Sequence, residues 1–293
     1  MTDLNTFLAR AEALLERVEA LLPRPPAPID WSVAAFRWRR LGSVRLGVLE
    51  AVAHPHCIRL EDLRGIDRQK HLIERNVAQF VAGHGANNVL LTGARGTGKS
   101  SLVKAVLTAY FPQGLRLIEV DKDDLVHLPE IVDLVASRPE KFIVFCDDLS
   151  FEAGEPGYKA MKSILDGSIA GTPANLLVCA TSNRRHLMPE AMGENLEAHH
   201  DADGEVHPGE TTEEKVSLSE RFGLWLSFYP FSQDEYLEIC SHWLREFGIN
   251  ADRIQAARQE ALQWALGRGS RSGRVAWQFA RDYAGRHPPS TAR

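Results

Sequence analysis

The sequence predicts an α/β protein: a mostly parallel sheet with helices on both faces, followed by a small all-helical domain. Three observations carry this. Short apolar, β-rich runs at 88–92, 115–120, 141–146 and 175–180 alternate with helical patterns, and alternation of this length puts helices over a parallel sheet. The first run leads directly into Gly93-Ala-Arg-Gly-Thr-Gly-Lys-Ser100 and then a helical run, the strand–loop–helix of a phosphate-binding loop. From Phe231 onward every periodic stretch is helical.

Composition sets the bounds. The 293 residues are 44% hydrophobic and 25% charged, ordinary for a globular chain with a proper core. The pattern divides into an N-terminal helix and Pro-rich linker (1–29), an aromatic and basic lead-in (30–58), an α/β nucleotide-binding domain (59–229), a helical lid (230–287) and a tail (288–293). A net charge of −5 argues against a surface that coats nucleic acid, although a local basic patch is compatible with it. Cys57, Cys146, Cys179 and Cys240 lack metal-type spacing and read as reduced core thiols. The first residues carry no signal-peptide pattern and no run reaches transmembrane length, so a cytoplasmic protein is expected.

In chain order, residues 3–22 form one amphipathic helix with Leu4, Leu8, Ala11, Leu15, Val18 and Leu22 on a stripe widened by Phe7, Leu14 and Leu21. It suits docking on its own domain or an association arm equally. The proline-rich 23–28 is a semi-rigid linker. Residues 34–40 interleave Phe36 and Trp38 with Arg37, Arg39 and Arg40. Stacking plus phosphate contact would bind single-stranded nucleic acid, but strict alternation favours a strand with rings on one face. Residues 58–67 lead into a helix ending near Val81, and 83–87 is a loop.

The loop itself is built for phosphate. Backbone N–H groups point into one concavity and the helix N-terminus adds partial positive charge, so the β- and γ-phosphates of ATP are expected there. Gly93, Ala94, Arg95, Gly96, Thr97 and Gly98 form the cradle, its glycines permitting turns and close approach. Lys99 reaches the β/γ-phosphates, the Ser100 hydroxyl ligates Mg²⁺, and Ser101 continues the helix to Tyr110. The run 141–146 ends in Asp147-Asp148. Asp147 is expected to hold Mg²⁺ opposite Ser100, and Asp148 to orient or deprotonate the attacking water. Asn183 follows the next strand, where an amide reaches the γ-phosphate or lytic water, or simply caps a turn.

Residues 189–216 are strongly acidic and read as a solvated loop. His199, His200 and His207 lie in it, but nothing fixes them as metal ligands. A helical turn carrying Arg221 then leads into a last apolar strand ending near Tyr229. In the lid, Ser232 to Glu235 is a capping box opening a helix with Tyr236, Ile239, Cys240, Trp243 and Leu244 inward. A second helix is expected over 252–266, closed by Gly267, and a third from Ser272, with Arg274 in its first turn.

Taken together, residues 60–283 resemble the AAA+ ATPases. Within that superfamily, Thr181-Ser-Asn-Arg-Arg-His-Leu187 and Glu214-Lys-Val-Ser-Leu-Ser-Glu-Arg-Phe-Gly-Leu-Trp225 resemble an uncharacterised bacterial ATP-binding family, a domain of unknown function. The resemblance implies that Asn183 is the sensor-1 residue, Arg221 the arginine finger and Arg274 the sensor-2 residue. It places Leu63 to Ile66, with Gly65 and Ile66, beside adenine. It implies a Mg²⁺-dependent ATP hydrolase, homo-oligomeric because the finger serves a neighbour, that remodels or loads a protein or other macromolecular partner.

Two departures qualify that expectation. The family pattern is mostly Asp-Glu where this chain has Asp147-Asp148, which leaves room for a slow-hydrolysing switch of helicase-loader type. Residues 121–128 carry neither the aromatic nor the glycine of a polypeptide-threading pore loop. A small-molecule kinase built on the same loop is disfavoured by the helical lid.

Overall fold

The structure, a computed structural model, describes residues 2–21, 28–41, 46–151, 155–167, 173–183, 199–200, 206–207 and 218–288. It has two compact units, Met1–Asp30 and Trp31–Arg293. The first is helix α1 (Thr2–Leu21), whose Leu4, Phe7, Leu8, Leu14 and Leu15 side chains are all exposed. Of the linker expected over 23–28, residues 23–27 lie outside the described residues, as do 289–293 of the tail.

The second unit opens with β1 (Ala35–Leu41) and β2 (Leu46–Ala51), an antiparallel pair with Trp38 opposite Leu49. Phe36 and Trp38 are buried. Arg37 lies on the other face and pairs with Glu119 at 2.6 Å, while Arg39 pairs with Glu50 at 2.8 Å. Alternation therefore decides this segment as a strand. The two rings are in the core and are not available to stack on bases.

Next come α2 (Asp67–Val81), β3 (Val89–Gly93), α3 (Lys99–Tyr110), β4 (Leu115–Glu119), α4 (Leu128–Val135), β5 (Lys141–Cys146), α5 (Pro156–Asp166) and β6 (Leu176–Ser182). The short strands β7 (His199–His200) and β8 (Val206–His207) pair with each other. The rest of the acidic segment expected to be a solvated loop lies outside the described residues. Strand β9 (Leu224–Phe228) completes a seven-stranded sheet of order β2-β1-β4-β5-β6-β3-β9. Every neighbouring pair runs parallel except β1 and β2. The central strands are apolar along their length because both faces are covered: Val89, Leu90 and Leu91 of β3 are fully buried.

Three helices follow: α6 (Gln233–Glu246), α7 (Ala251–Arg268) and α8 (Gly273–Arg286). Ser232 caps α6 in a reciprocal box with Glu235, and Tyr236, Ile239, Cys240 and Leu244 are buried as expected. Helix α7 differs from expectation. It runs through Gly267 and stops at Gly269, whose φ of +64 ends the helix. No neighbouring atom crowds Gly267, and the two added residues let Arg268 lie over the Trp264 ring at 5.3 Å.

Candidate functional site

Strand β3 ends at the carboxyl edge of the sheet between β6 and β9, and α3 begins at Lys99, so Lys99, Ser100 and Ser101 occupy its first turn. A Cβ on Gly93 would sit 1.9 Å from the Phe228 carbonyl oxygen. The bare Cα there serves the packing of β9 rather than the approach of a phosphate. Thr97 donates to the Ala94 carbonyl at 2.8 Å and draws the loop closed. Lys99 Nζ donates to the Gly93 and Ala94 carbonyls, both at 2.8 Å, and to Asn183 Oδ1 at 2.9 Å. Burial holds the Lys99 pKa below the usual lysine value, with Asp147 and Asp148 opposing that shift and Arg95 adding to it.

The carboxylates stand directly beyond β5. Ser100 Oγ and Thr181 Oγ1 each donate to Asp147 Oδ1 at 2.5 Å. Asp148 has a φ of +52, the one positive value among described residues other than glycine. Its N–H donates to Thr181 Oγ1 at 2.9 Å, and the next N–H, of Leu149, donates to the Thr181 carbonyl at 2.6 Å. Thr181 thus holds both aspartates. Asn183 Nδ2 donates to Asp148 Oδ1, so one amide bridges Lys99 and Asp148. Arg95 lies 3.9 Å from Asp148.

A cavity of about 780 Å³ opens over the loop, within the range that holds drug- and nucleotide-sized ligands. Its lining combines polar Arg95, Lys99, Ser100, Asp147, Asn183 and Arg274 with apolar Ile58, Leu63, Ile66, Ile239 and Trp243. That mixture of charged and apolar lining suits a nucleotide, which carries phosphates and a base. The adjacent Ser100 hydroxyl and Asp147 carboxylate are hard oxygen donors, which suit Mg²⁺ held by few protein ligands and phosphate.

The sequence profile of a family described as a protein of unknown function, DUF815, matches residues 32–287. The chain belongs to the DUF815 family. No curated protein matches it. Among solved structures, the Thermotoga maritima RuvB Holliday junction branch migration motor is 18% identical over 80% of this chain and 68% of its own, with a TM-score of 0.51. A variant of that RuvB is 16% identical over 80% of this chain and 68% of its own, at 0.52. A chain of the E. coli MS115-1 HORMA:CdnC:Trip13 complex is 13% identical over 76% of this chain and 90% of its own, at 0.48. The RuvB likeness is one of fold, and this DUF815 chain has a RuvB-like AAA+ fold.

Of the expected site residues, the loop from Arg95 to Ser101, Asp147, Asp148, Asn183 and Arg274 converge on the one cavity. Ile66 lines it too, whereas Gly65 packs under the Phe231 ring instead. Arg221 is elsewhere. It precedes β9, where Leu224 is level with Val89 at the amino end of β3, and it pairs with Asp166 at the end of α5. The loop begins four residues further along β3, about 13 Å at 3.3 Å per residue. Sequence reasoning assigned no part in the site to Thr181 or Ile58, and it placed Trp243 inward on the first lid helix without assigning it to the cavity. It also placed Cys57 in the core, but Cys57 is exposed at the cavity wall on a segment without regular structure.

Proposed function

We propose that this DUF815 protein is a Mg²⁺-dependent ATPase of the cytoplasm that couples ATP binding and hydrolysis to remodelling or loading of a macromolecular partner. The observation that carries it is the bridge Lys99–Asn183–Asp148 beside the Ser100–Asp147 pair, all facing one cavity over the phosphate loop. Phosphate oxygens replace the Gly93 and Ala94 carbonyls as acceptors for Lys99. Ser100 and Asp147 would hold Mg²⁺, which when bound would offset negative charge on the phosphates. Asp148 orients the attacking water, and Asn183 keeps that carboxylate facing the γ-phosphate end. Arg274 adds positive charge from the lid, and Ile58, Leu63, Ile66 and Trp243 receive the base. Wild-type protein is expected to release phosphate from ATP, and Lys99→Ala to abolish release. Equal release by both would refute the reading.

A second reading is a switch that binds ATP and turns over slowly. It is favoured by Asp148 itself, a short carboxylate held by Asn183 and facing Arg95. ATP retained through purification, with negligible turnover at high protein concentration, would select it. Among the described residues no helix is long and apolar enough to cross a membrane. Capture of partners on Asp148→Asn protein held in its ATP-bound state is the route to the remodelled molecule.

A further inference from the structure

We propose that Thr181 is a positioning residue whose hydroxyl couples the two aspartates: whatever fixes the Asp147 carboxylate also fixes the backbone of Asp148. The proposal rests on the ATPase reading and adds a residue to it. Thr181 is buried near the carboxyl end of β6, between β5 and β3. The Asp148 N–H can only donate, so the Thr181 oxygen accepts it at 2.9 Å. The single hydroxyl proton then goes to Asp147 Oδ1 at 2.5 Å. This makes one directed chain, Asp148 N–H to Thr181 O–H to the Asp147 carboxylate, in which each bond polarises the next. Ser100 donates to the same Oδ1, so the carboxylate expected to hold Mg²⁺ is also the terminus of the chain that reaches Asp148.

The hold matters because of the conformation it maintains. Asp148 has a φ of +52, a left-handed backbone that L residues avoid. Two bonds to Thr181 brace this turn. One runs from the Leu149 N–H to the Thr181 carbonyl, is main chain only, and would form with any residue at 181. The other needs a hydroxyl. The β-branch of threonine restricts rotation about Cα–Cβ, which keeps that hydroxyl on the line between the two aspartates. The Asp148 carboxylate is held separately, by Asn183, which also accepts from Lys99. Thr181 therefore sets the backbone of Asp148, Asn183 sets its side chain, and the direction of the carboxylate needs both.

Amide hydrogen exchange of the full chain, read residue by residue by NMR, tests this together with steady-state kinetics. Thr181→Val keeps the shape of the side chain and removes the hydroxyl. Exchange at the Asp148 amide should then quicken by about tenfold, the worth of one hydrogen bond. The Leu149 amide, bonded to the retained carbonyl, should keep its rate. In wild type, Mg²⁺ with ADP should slow Asp148 exchange more than ADP alone, and in Thr181→Val the two should match. Turnover of Thr181→Val at saturating Mg²⁺ and ATP should fall by about tenfold or more, with KM for ATP within about twofold of wild type. Thr181→Ser should recover most of the protection and of the turnover. Equal loss of protection at Asp148 and Leu149 in Thr181→Val would assign Thr181 to packing and overturn the proposal. So would a Thr181→Ser protein no better than Thr181→Val. Wild-type protein that binds Mg²⁺ with ADP while Asp148 exchange ignores the metal would overturn it too, and that comparison needs no variant. Wild-type protein with the full exchange pattern but no ATP turnover would refute the ATPase reading instead, and leave the coupling of the two aspartates standing.

Discussion

Gly273 donates its backbone N–H to the carbonyl of Gly96 at 2.8 Å, so the first residue of α8 is hydrogen-bonded to the middle of the phosphate loop. A Cβ on Gly96 would lie 2.8 Å from the Ser272 side chain, and Ser272 is the residue that caps α8. Loop and lid meet at a joint that only a bare Cα fits. Arg274 is the next residue along α8, so the same joint sets where its guanidinium enters the cavity.

Gly96→Ala should therefore harm binding as well as stability. Its φ of +72 costs a side chain about 1–3 kcal/mol, and displacement of Ser272 shifts Arg274 away from the phosphates. Gly269→Ala is the control: its φ is +64, but nothing lies within 4 Å of the added Cβ. Both variants should lose denaturant midpoint, and only Gly96→Ala should lose nucleotide affinity, by about tenfold or more, one hydrogen bond to a charged group. Equal affinity in the two variants would show that the joint does not reach the site.

Thiol chemistry reports on the cavity. Cys57 is exposed on its wall, whereas burial pushes the Cys146 and Cys240 thiols up to about 12 and the Cys179 thiol further. The thiolate is the reactive form, so native protein should take up maleimide at Cys57 alone, the other three reacting only after denaturation. Saturating ATP should slow that labelling several-fold. Labelling indifferent to ATP would move the nucleotide away from the wall that carries Cys57.

These residues also show what the sequence could and could not reveal. The loop, Asp147-Asp148 and Asn183 were legible because each is a short contiguous signal tied to a strand end, where backbone geometry does the positioning. Thr181 was not. Its hold on both aspartates depends on the β5–β6 register that sets Cys146 beside Ala180, and register is a pairing between distant segments. Trp243 was legible as inward-facing from helical periodicity, but periodicity does not say that inward there means a cavity wall. Gly267 and Gly269 are equivalent to a rule that ends helices at glycine; only the left-handed backbone at Gly269 separates them.

Acid should weaken the attachment of the lid to the nucleotide domain. Asp62 is 7% exposed. Burial alone would raise its pKa, but hydrogen bonds from the Arg59 side chain and backbone, and from His242 of α6, bring it below the ordinary 3.8. A carboxylate with a lowered folded pKa adds stability above its unfolded pKa, and that stability is lost as pH falls through the folded value. Asp62→Asn should thus be less stable than wild type at pH 7, and the gap should close below about pH 3.8. Urea unfolding across that window measures it. A gap that persists unchanged into acid would assign the loss to packing rather than to the charge of Asp62.

Arg221 should act on a neighbour's nucleotide. It lies at the amino edge of the sheet, and its own phosphate loop lies at the carboxyl edge. A cation so placed reaches a γ-phosphate only when a second subunit brings its cavity to that edge, a head-to-tail contact that closes as a ring or continues as a helix. Finger contacts are worth roughly 10³–10⁵ in rate, so Arg221→Ala should lose turnover by about that factor while binding ATP normally. Specific activity of wild type should rise with protein concentration. Mixing Arg221→Ala with Lys99→Ala should restore part of the turnover: the first variant keeps an intact cavity, and the second supplies an intact Arg221 to it. Activity independent of concentration, with no recovery on mixing, would leave Arg221 as the partner of Asp166 and nothing more.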